Sequence, residues 1–163
     1  MTMNWSVITQ NIDVFLEGAL LTLQISALAL LLSIPIGVIT GLFRVSNNKF
    51  LTFISTFYVE VMRGIPLLVL LIWIYFVLGH YWSAVIGLAI FSGAFIAEIV
   101  RSGIQSVPKG QMEAARSSGM TYIQAMKLVI LPQAIRAVLP PMASQFIILI
   151  KDSSLVSTIS VID

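Results

Sequence analysis

No residue between Glu17 and Arg44 is charged. A helix needs about 20 predominantly apolar residues to cross the hydrocarbon core of a bilayer. Residues 19–43 exceed that length and are expected to span with some tilt. A cleaved signal peptide would carry a basic segment ahead of its apolar run, yet the first basic residue is Arg44. The run therefore reads as a retained helix, expected to bend near Pro35, where the ring removes a backbone donor. The rest of the chain agrees: 58% of its 163 residues are hydrophobic and 10% charged. Soluble domains carry about 25% charged residues, so a water-soluble enzyme, a disordered segment and a coiled coil are all excluded. With no cysteine there is no disulfide, cysteine-ligated metal or thiol chemistry, and the lone His80 cannot build a histidine-rich metal site.

Further apolar stretches cover residues 51–78, 83–100 and 129–150. The second is interrupted by Glu60, Arg63 and the Arg63-Gly64-Ile65-Pro66 break. Between the second and third, Gly79-His80-Tyr81-Trp82 is a polar turn with the aromatic pair expected at a membrane interface. Residues 101–128 are polar and helix-friendly, too charged for lipid, and read as a loop outside the bilayer. The fold class is all-α, a polytopic transmembrane helical bundle forming one domain over residues 1–163.

Basic residues set the direction. None precedes Arg44; Arg44 and Lys49 lie in the first connection, and Arg101, Lys109, Arg116 and Lys127 lie in the long one. Positive loops stay in the cytoplasm, which puts the amino terminus outside and the 101–128 loop inside.

That loop carries the most information. Pro108 suits the start of a helix. Met112, Ala115 and Arg116 share one face at helical spacing, and the pair Ala114–Ala115 permits close approach of another backbone. Gly119 suits the left-handed position after a helix. Thr121 and Gln124 read as a capping box opening a second helix, which Leu131-Pro132 is expected to end while opening the next span. The expectation is a helix, a sharp turn and a second helix below the membrane.

Charges at membrane depth are normally paired or line water. Glu60 and Arg63 are three apart, as are Glu98 and Arg101, so each pair can meet on one helix face. Pairing and anchoring near the cytoplasmic ends of spans competes here with direct substrate contact. In the last span Gln145, Lys151 and Asp152 are further pathway candidates. Asp152 is an anion suited to a substrate ammonium, or else part of an interfacial cap with Lys151. No P-loop, nucleophile elbow or internal repeat is present.

Glu113-Ala114-Ala115, Gly119 and Leu131-Pro132 resemble the E-A-A-x3-G-x9-I-x-L-P motif of ABC importer permeases, with Val129 at the isoleucine position. Arg63-Gly64-Ile65-Pro66, Ala97-Glu98-Ile99-Val100-Arg101, Ile130-Leu131-Pro132-Gln133-Ala134 and Lys151-Asp152-Ser153-Ser154-Leu155 resemble the polar amino acid uptake branch of that family. Gly18 and Thr22-Leu23 also fit, so the resemblance runs the length of the chain. It implies a type I importer permease in the bacterial cytoplasmic membrane, coupled through Glu113, Ala114, Ala115, Arg116, Gly119, Leu131 and Pro132 to a separate ATPase. It implies a second copy or homologous permease, ATPase subunits, an extracytoplasmic amino-acid-binding protein and an amino acid substrate as partners. It implies no cofactor of its own, since ATP is used by the partner. It places the pathway where two permeases meet. Such permeases continue past the Lys-Asp-Ser-Ser-Leu segment, so a fifth span is expected after Asp163.

Two other readings are weaker. A secondary transporter or channel subunit would suit the apolar spans and ion pairs but leaves the Glu-Ala-Ala loop without a role. The same loop resembles the start of a helix-turn-helix DNA reader. A basic recognition helix is then required, and residues 122–131 contain only Lys127, so no nucleic-acid partner is expected.

Overall fold

The structure, a computed structural model, describes residues 11–159, and the fifth span expected after Asp163 lies outside these described residues. All regular elements among them are helical. Helix α1 is Ile12–Arg44, an unbroken run of 33 residues with Pro35 inside it. At 1.5 Å per residue it is about 50 Å long, enough to cross a bilayer and project from it.

Helix α2 is Lys49–Gly64; the Asn48 side chain caps it by accepting from the Phe50 and Leu51 amides at 3.0 and 3.4 Å. Helix α3 is Leu67–Leu78. The stretch expected as a single interrupted span is thus two helices, set at 106° to one another. Ile65, held extended at ψ 135°, and Pro66 make the corner, because proline excludes the helical conformation of the residue before it.

Helix α4 is His80–Gln105, longer at both ends than the apolar stretch suggests. Helix α5 is Lys109–Ser117 and α6 is Tyr122–Ala125. Rather than ending at Leu131-Pro132, α6 continues through a π-helical turn, Met126–Ile130, into α7, Leu131–Asp152. Proline removes one helical donor, and the wider turn immediately before it re-routes the ladder so that the helix need not break. A 3₁₀ turn, Ser153–Ile159, follows.

Among the described residues three helical stretches are long and apolar enough to cross a membrane: Ile12–Arg44, Tyr81–Gln105 and Tyr122–Ser157. The bent α2–α3 pair counts as a fourth if it forms one broken span. Helix α4 is the axle of the bundle, with 67% of its apolar window buried against 17% for the last helix.

Helices α1 and α4 run parallel. Gly37 abuts Ile96 and Gly93, and Gly41 abuts Ala97 and Val100, so contacts advance together along both chains. The seam is a ladder of small residues on α1: Ser26, Ala29, Ser33, Gly37 and Gly41, all buried. Without a hydrophobic drive between helices in lipid, small residues are what allow backbones to come close enough for dispersion to hold them. A Cβ added at Gly41 would lie 2.7 Å from the Ala97 carbonyl oxygen. One turn beyond Val100, Gly103 of α4 faces Ala134 and Val138 of α7. Leu71, Val85, Leu88 and Leu149 fill the apolar centre.

Candidate functional site

Two constellations emerge: an ion cluster at one end of the bundle and the helical loop beyond it.

Glu98 is the hub of the cluster. Its carboxylate receives the Arg44 guanidinium from the end of α1 and the Arg101 guanidinium one turn along α4. Arg63 stands 3.9 Å away and lies over the Phe95 ring at 5.5 Å. Glu60 pairs with Arg44 at 3.4 Å. The Glu98–Arg101 pair follows the i,i+3 geometry that the spacing suggests. Glu60 and Arg63 do not pair with each other: each reaches across to another helix, because α2 lies against α1 and α4 with both side chains in range of stronger partners. The Glu98 side chain is only 21% exposed and Glu60 64%, so the cluster has a sheltered centre and an open edge. It binds α1, α2 and α4 together at the corner where α2 turns into α3. The Tyr58 hydroxyl adds a hydrogen bond to the Ile90 carbonyl.

Beside the hub, a cleft of about 370 Å³ opens between α4 and α7, lined by Glu98, Ser102, Ser106, Ala137 and Pro141 among others. Gln145, Lys151 and Asp152 do not line it. Gln145 is buried in α7, Lys151 is exposed and Asp152 half-buried. Asp152 stands eleven residues beyond Pro141, about 16 Å along the helix axis. No ion pair joins Lys151 to Asp152 among the described residues.

The loop beyond Gln105 is held by local chemistry. Helix α5 ends with Gly119 at φ +86°; the Gly119 amide bonds the Arg116 carbonyl at 3.0 Å and the Met120 amide the Ala115 carbonyl at 3.2 Å. That pair of bonds is the Schellman ending, which needs a left-handed residue and hence favours glycine. Arg116 also donates to the Met120 carbonyl at 2.9 Å. Thr121 and Gln124 close a full capping box at the start of α6. Gln133 of α7 donates to the Gln111 side chain at 3.2 Å, linking α5 to the membrane-crossing helix.

The two alanines of the motif differ in exposure. Ala115 is 7% exposed and packs inward with half-buried Met112, whereas Ala114, Glu113 and Gly110 face outward. Among the described residues nothing lies within 4 Å of a Cβ at Gly110 or Gly119. Arg116 is exposed although it shares the Met112 side of the helix in a simple wheel. Leu131 is half-buried and Pro132 exposed in the first turn of α7.

Sequence reasoning passed over two basic residues in this region. Arg44 serves the topology argument, yet it is also the partner that reaches Glu98 from 54 residues away, a separation that no local pattern reveals. Arg136 is exposed on α7 within an otherwise apolar run, and its charge there was the available signal.

With that geometry in hand, the comparisons with known proteins are specific. Residues 33–161 match the family described as binding-protein-dependent transport system inner membrane component. The chain is 44% identical over 168 residues to the probable glutamine ABC transporter permease protein GlnM of Bacillus subtilis, covering 99% of this chain and 78% of that one. It is 38% identical over 170 residues to the glutamine transport system permease protein GlnP of Escherichia coli K12, with the same coverage. It is 36% identical over 175 residues to the glutamate/aspartate import permease protein GltK of Escherichia coli O157:H7, with 98% and 78% covered. A solved amino acid ABC transporter with histidines superposes with a TM-score of 0.90 at 39% identity, covering 98% of this chain and 78% of that one. The MetNI methionine ABC transporter, at 24% identity and a TM-score of 0.74, shares the fold. The chain belongs to the family of inner membrane components of binding-protein-dependent transport systems, as an ABC importer permease.

Proposed function

We propose that this permease carries polar amino acids inward and that α5 is the element through which a separate ATPase drives it. The observation that carries the coupling is the outward face of α5. Gly110, Glu113 and Ala114 present a short, small-residue helix surface that the chain's own residues leave open. A helix of that kind suits a groove on a partner, with small residues allowing close approach and Glu113 supplying charge at the rim. The Schellman turn at Gly119 and the Gln133–Gln111 bond tie α5 to α7, so a push on α5 is delivered to a membrane-crossing helix.

The substrate class rests on relatives named for glutamine and for glutamate/aspartate. Glu60, Arg63 and Glu98 offer both signs of charge beside the α4–α7 cleft, a combination suited to a zwitterion's ammonium and carboxylate. Gln145, Lys151 and Asp152 extend the candidate pathway along α7. The exposed face of α7, with Arg136 and Ser144 among apolar residues, is the surface offered to a second permease. In this reading the chain needs no cofactor, because the partner ATPase binds and hydrolyses ATP, and an extracytoplasmic binding protein delivers the substrate.

The test is reconstitution of the permease with its ATPase and binding protein in liposomes. ATP hydrolysis should rise on addition of glutamine, glutamate or another polar amino acid. Glu113→Lys should leave insertion intact and abolish that stimulation. Stimulation by no amino acid would remove the substrate assignment, and an unaffected Glu113→Lys complex would remove the coupling role.

A further inference from the structure

The ends of three membrane-crossing helices and α5 enclose a second cleft, of about 610 Å³. Its walls include Arg44 at the end of α1 and Ser46 just after it, Gln105 at the end of α4, Lys109 and Met112 of α5, and Met126 of the π turn. The two basic connections meet here, which the positive-inside rule places at the cytoplasmic surface.

The chemistry of the lining is one-sided. Among the described residues no acidic side chain lines it, while Arg44 and Lys109 do. Ser46 Oγ already accepts from the Asn48 amide at 3.2 Å, which leaves its hydroxyl hydrogen to donate. Gln105 Oε1 accepts from Arg101, which leaves its NH2 group as the free half of the amide. Arg44 is engaged with Glu98 and Glu60, so Lys109, exposed at the rim, is the mobile cation. A lining whose polar groups have donors to offer fits a ligand made of acceptors. Behind these groups Val107, Ile104, Ile130 and the two methionines form an apolar floor, and methionine adapts to flexible chains.

We infer that this cleft seats the phosphate headgroup of an anionic phospholipid from the cytoplasmic leaflet, with an acyl chain against the methionine floor. Free phosphate shares the headgroup chemistry but would leave that floor empty, and the positive-inside rule puts the cleft's basic residues on the cytoplasmic side, where anionic headgroups lie. The lipid touches α5 at Lys109 and Met112 and the π turn at Met126, so its presence sets how α5 sits under the bundle. The inference rests on the membrane orientation and on the coupling role of α5 given above.

The assembled transporter, purified from membranes and exchanged into nanodiscs of phosphatidylethanolamine with or without phosphatidylglycerol, supplies the test. Native mass spectrometry should find phosphatidylglycerol retained over phosphatidylethanolamine. Lys109→Gln should lower that retention roughly fivefold, the usual worth of one basic residue at an anionic surface. Met126→Trp, which fills the floor without changing charge, should lower it as well. Millimolar inorganic phosphate should not displace the lipid. Equal retention of the two lipids by the unmodified transporter would overturn the assignment, as would displacement by inorganic phosphate. Amino-acid-stimulated ATP hydrolysis in the same nanodiscs separates the two ideas: stimulation without lipid selectivity sinks this inference alone, and absence of stimulation sinks the functional reading.

Discussion

Glycines in the α1–α4 seam and glycines in the α5 loop are the same residue doing opposite work. Gly37 and Gly41 sit where a Cβ would strike Ile96, Ala97 and Val100, so they are small because the chain itself closes on them. Gly110 and Gly119 have nothing within 4 Å, so they are small because of backbone shape or because something outside the chain must approach. The first region finishes its packing internally. The second is left unfinished, and a subunit of a larger machine needs such a surface. The ion cluster stands between the two: its Glu98 centre is paired within the chain, and its Glu60 edge stays open.

The contrast can be broken by substitution. Glu98→Ala should have the largest effect. It strips three arginines of their shared anion, and breaking a sheltered ion pair from one side costs about 3–5 kcal/mol. Thermal unfolding of the purified protein should fall sharply, whereas Glu60→Gln, at the exposed edge, should move it by about 0–1 kcal/mol. Similar shifts for the two would mean that the cluster has no sheltered centre.

Gly41→Val comes next, with overpacking of about 1–3 kcal/mol, because the nearest obstacle is the Ala97 backbone carbonyl. Its readout is the folded yield after detergent extraction, and a normal yield would show that α1 and α4 are not locked by this seam. Gly119→Ala should cost about 1–2 kcal/mol, the penalty for an L-residue at left-handed φ, and only in the loop. Hydrogen exchange should quicken across α5 and stay unchanged in α4. At the small end, Gly110→Ala should leave folding unaffected or improve it by about 0.5–1 kcal/mol, since it replaces glycine within a helix. A large loss of folded protein would mean that this face is packed after all.

What sequence reasoning recovers depends on the range of the interactions. The Gly119 turn and the Thr121–Gln124 box are readable because every participant lies within a few residues. The corner at Gly64-Ile65-Pro66 is visible as a break, but its 106° angle is not, since it depends on what α2 and α3 pack against. The π turn is invisible: Leu131-Pro132 looks like a terminator, and only the widened turn before it lets the helix pass. The cross-helix partners of Glu60 and Arg63 are hidden for a similar reason, because an i,i+3 spacing permits a pair without requiring one. The small-residue seam was there to be read, in Ser26, Ala29, Ser33, Gly37 and Gly41 at three- and four-residue intervals, but it lies inside a run that hydropathy reports only as apolar.

Helix α5 shows one side to its own chain and offers the other to a partner ATPase. The sequence contains no cysteine, so single cysteines can be introduced without background. Ala114→Cys and Ala115→Cys, neighbours on the same helix, should be paired with cysteines placed across the coupling groove of the ATPase and oxidised in the assembled transporter. The account predicts an ATP-dependent cross-link from Ala114→Cys and little or none from Ala115→Cys. A stronger cross-link from Ala115→Cys, or none from either, would contradict it.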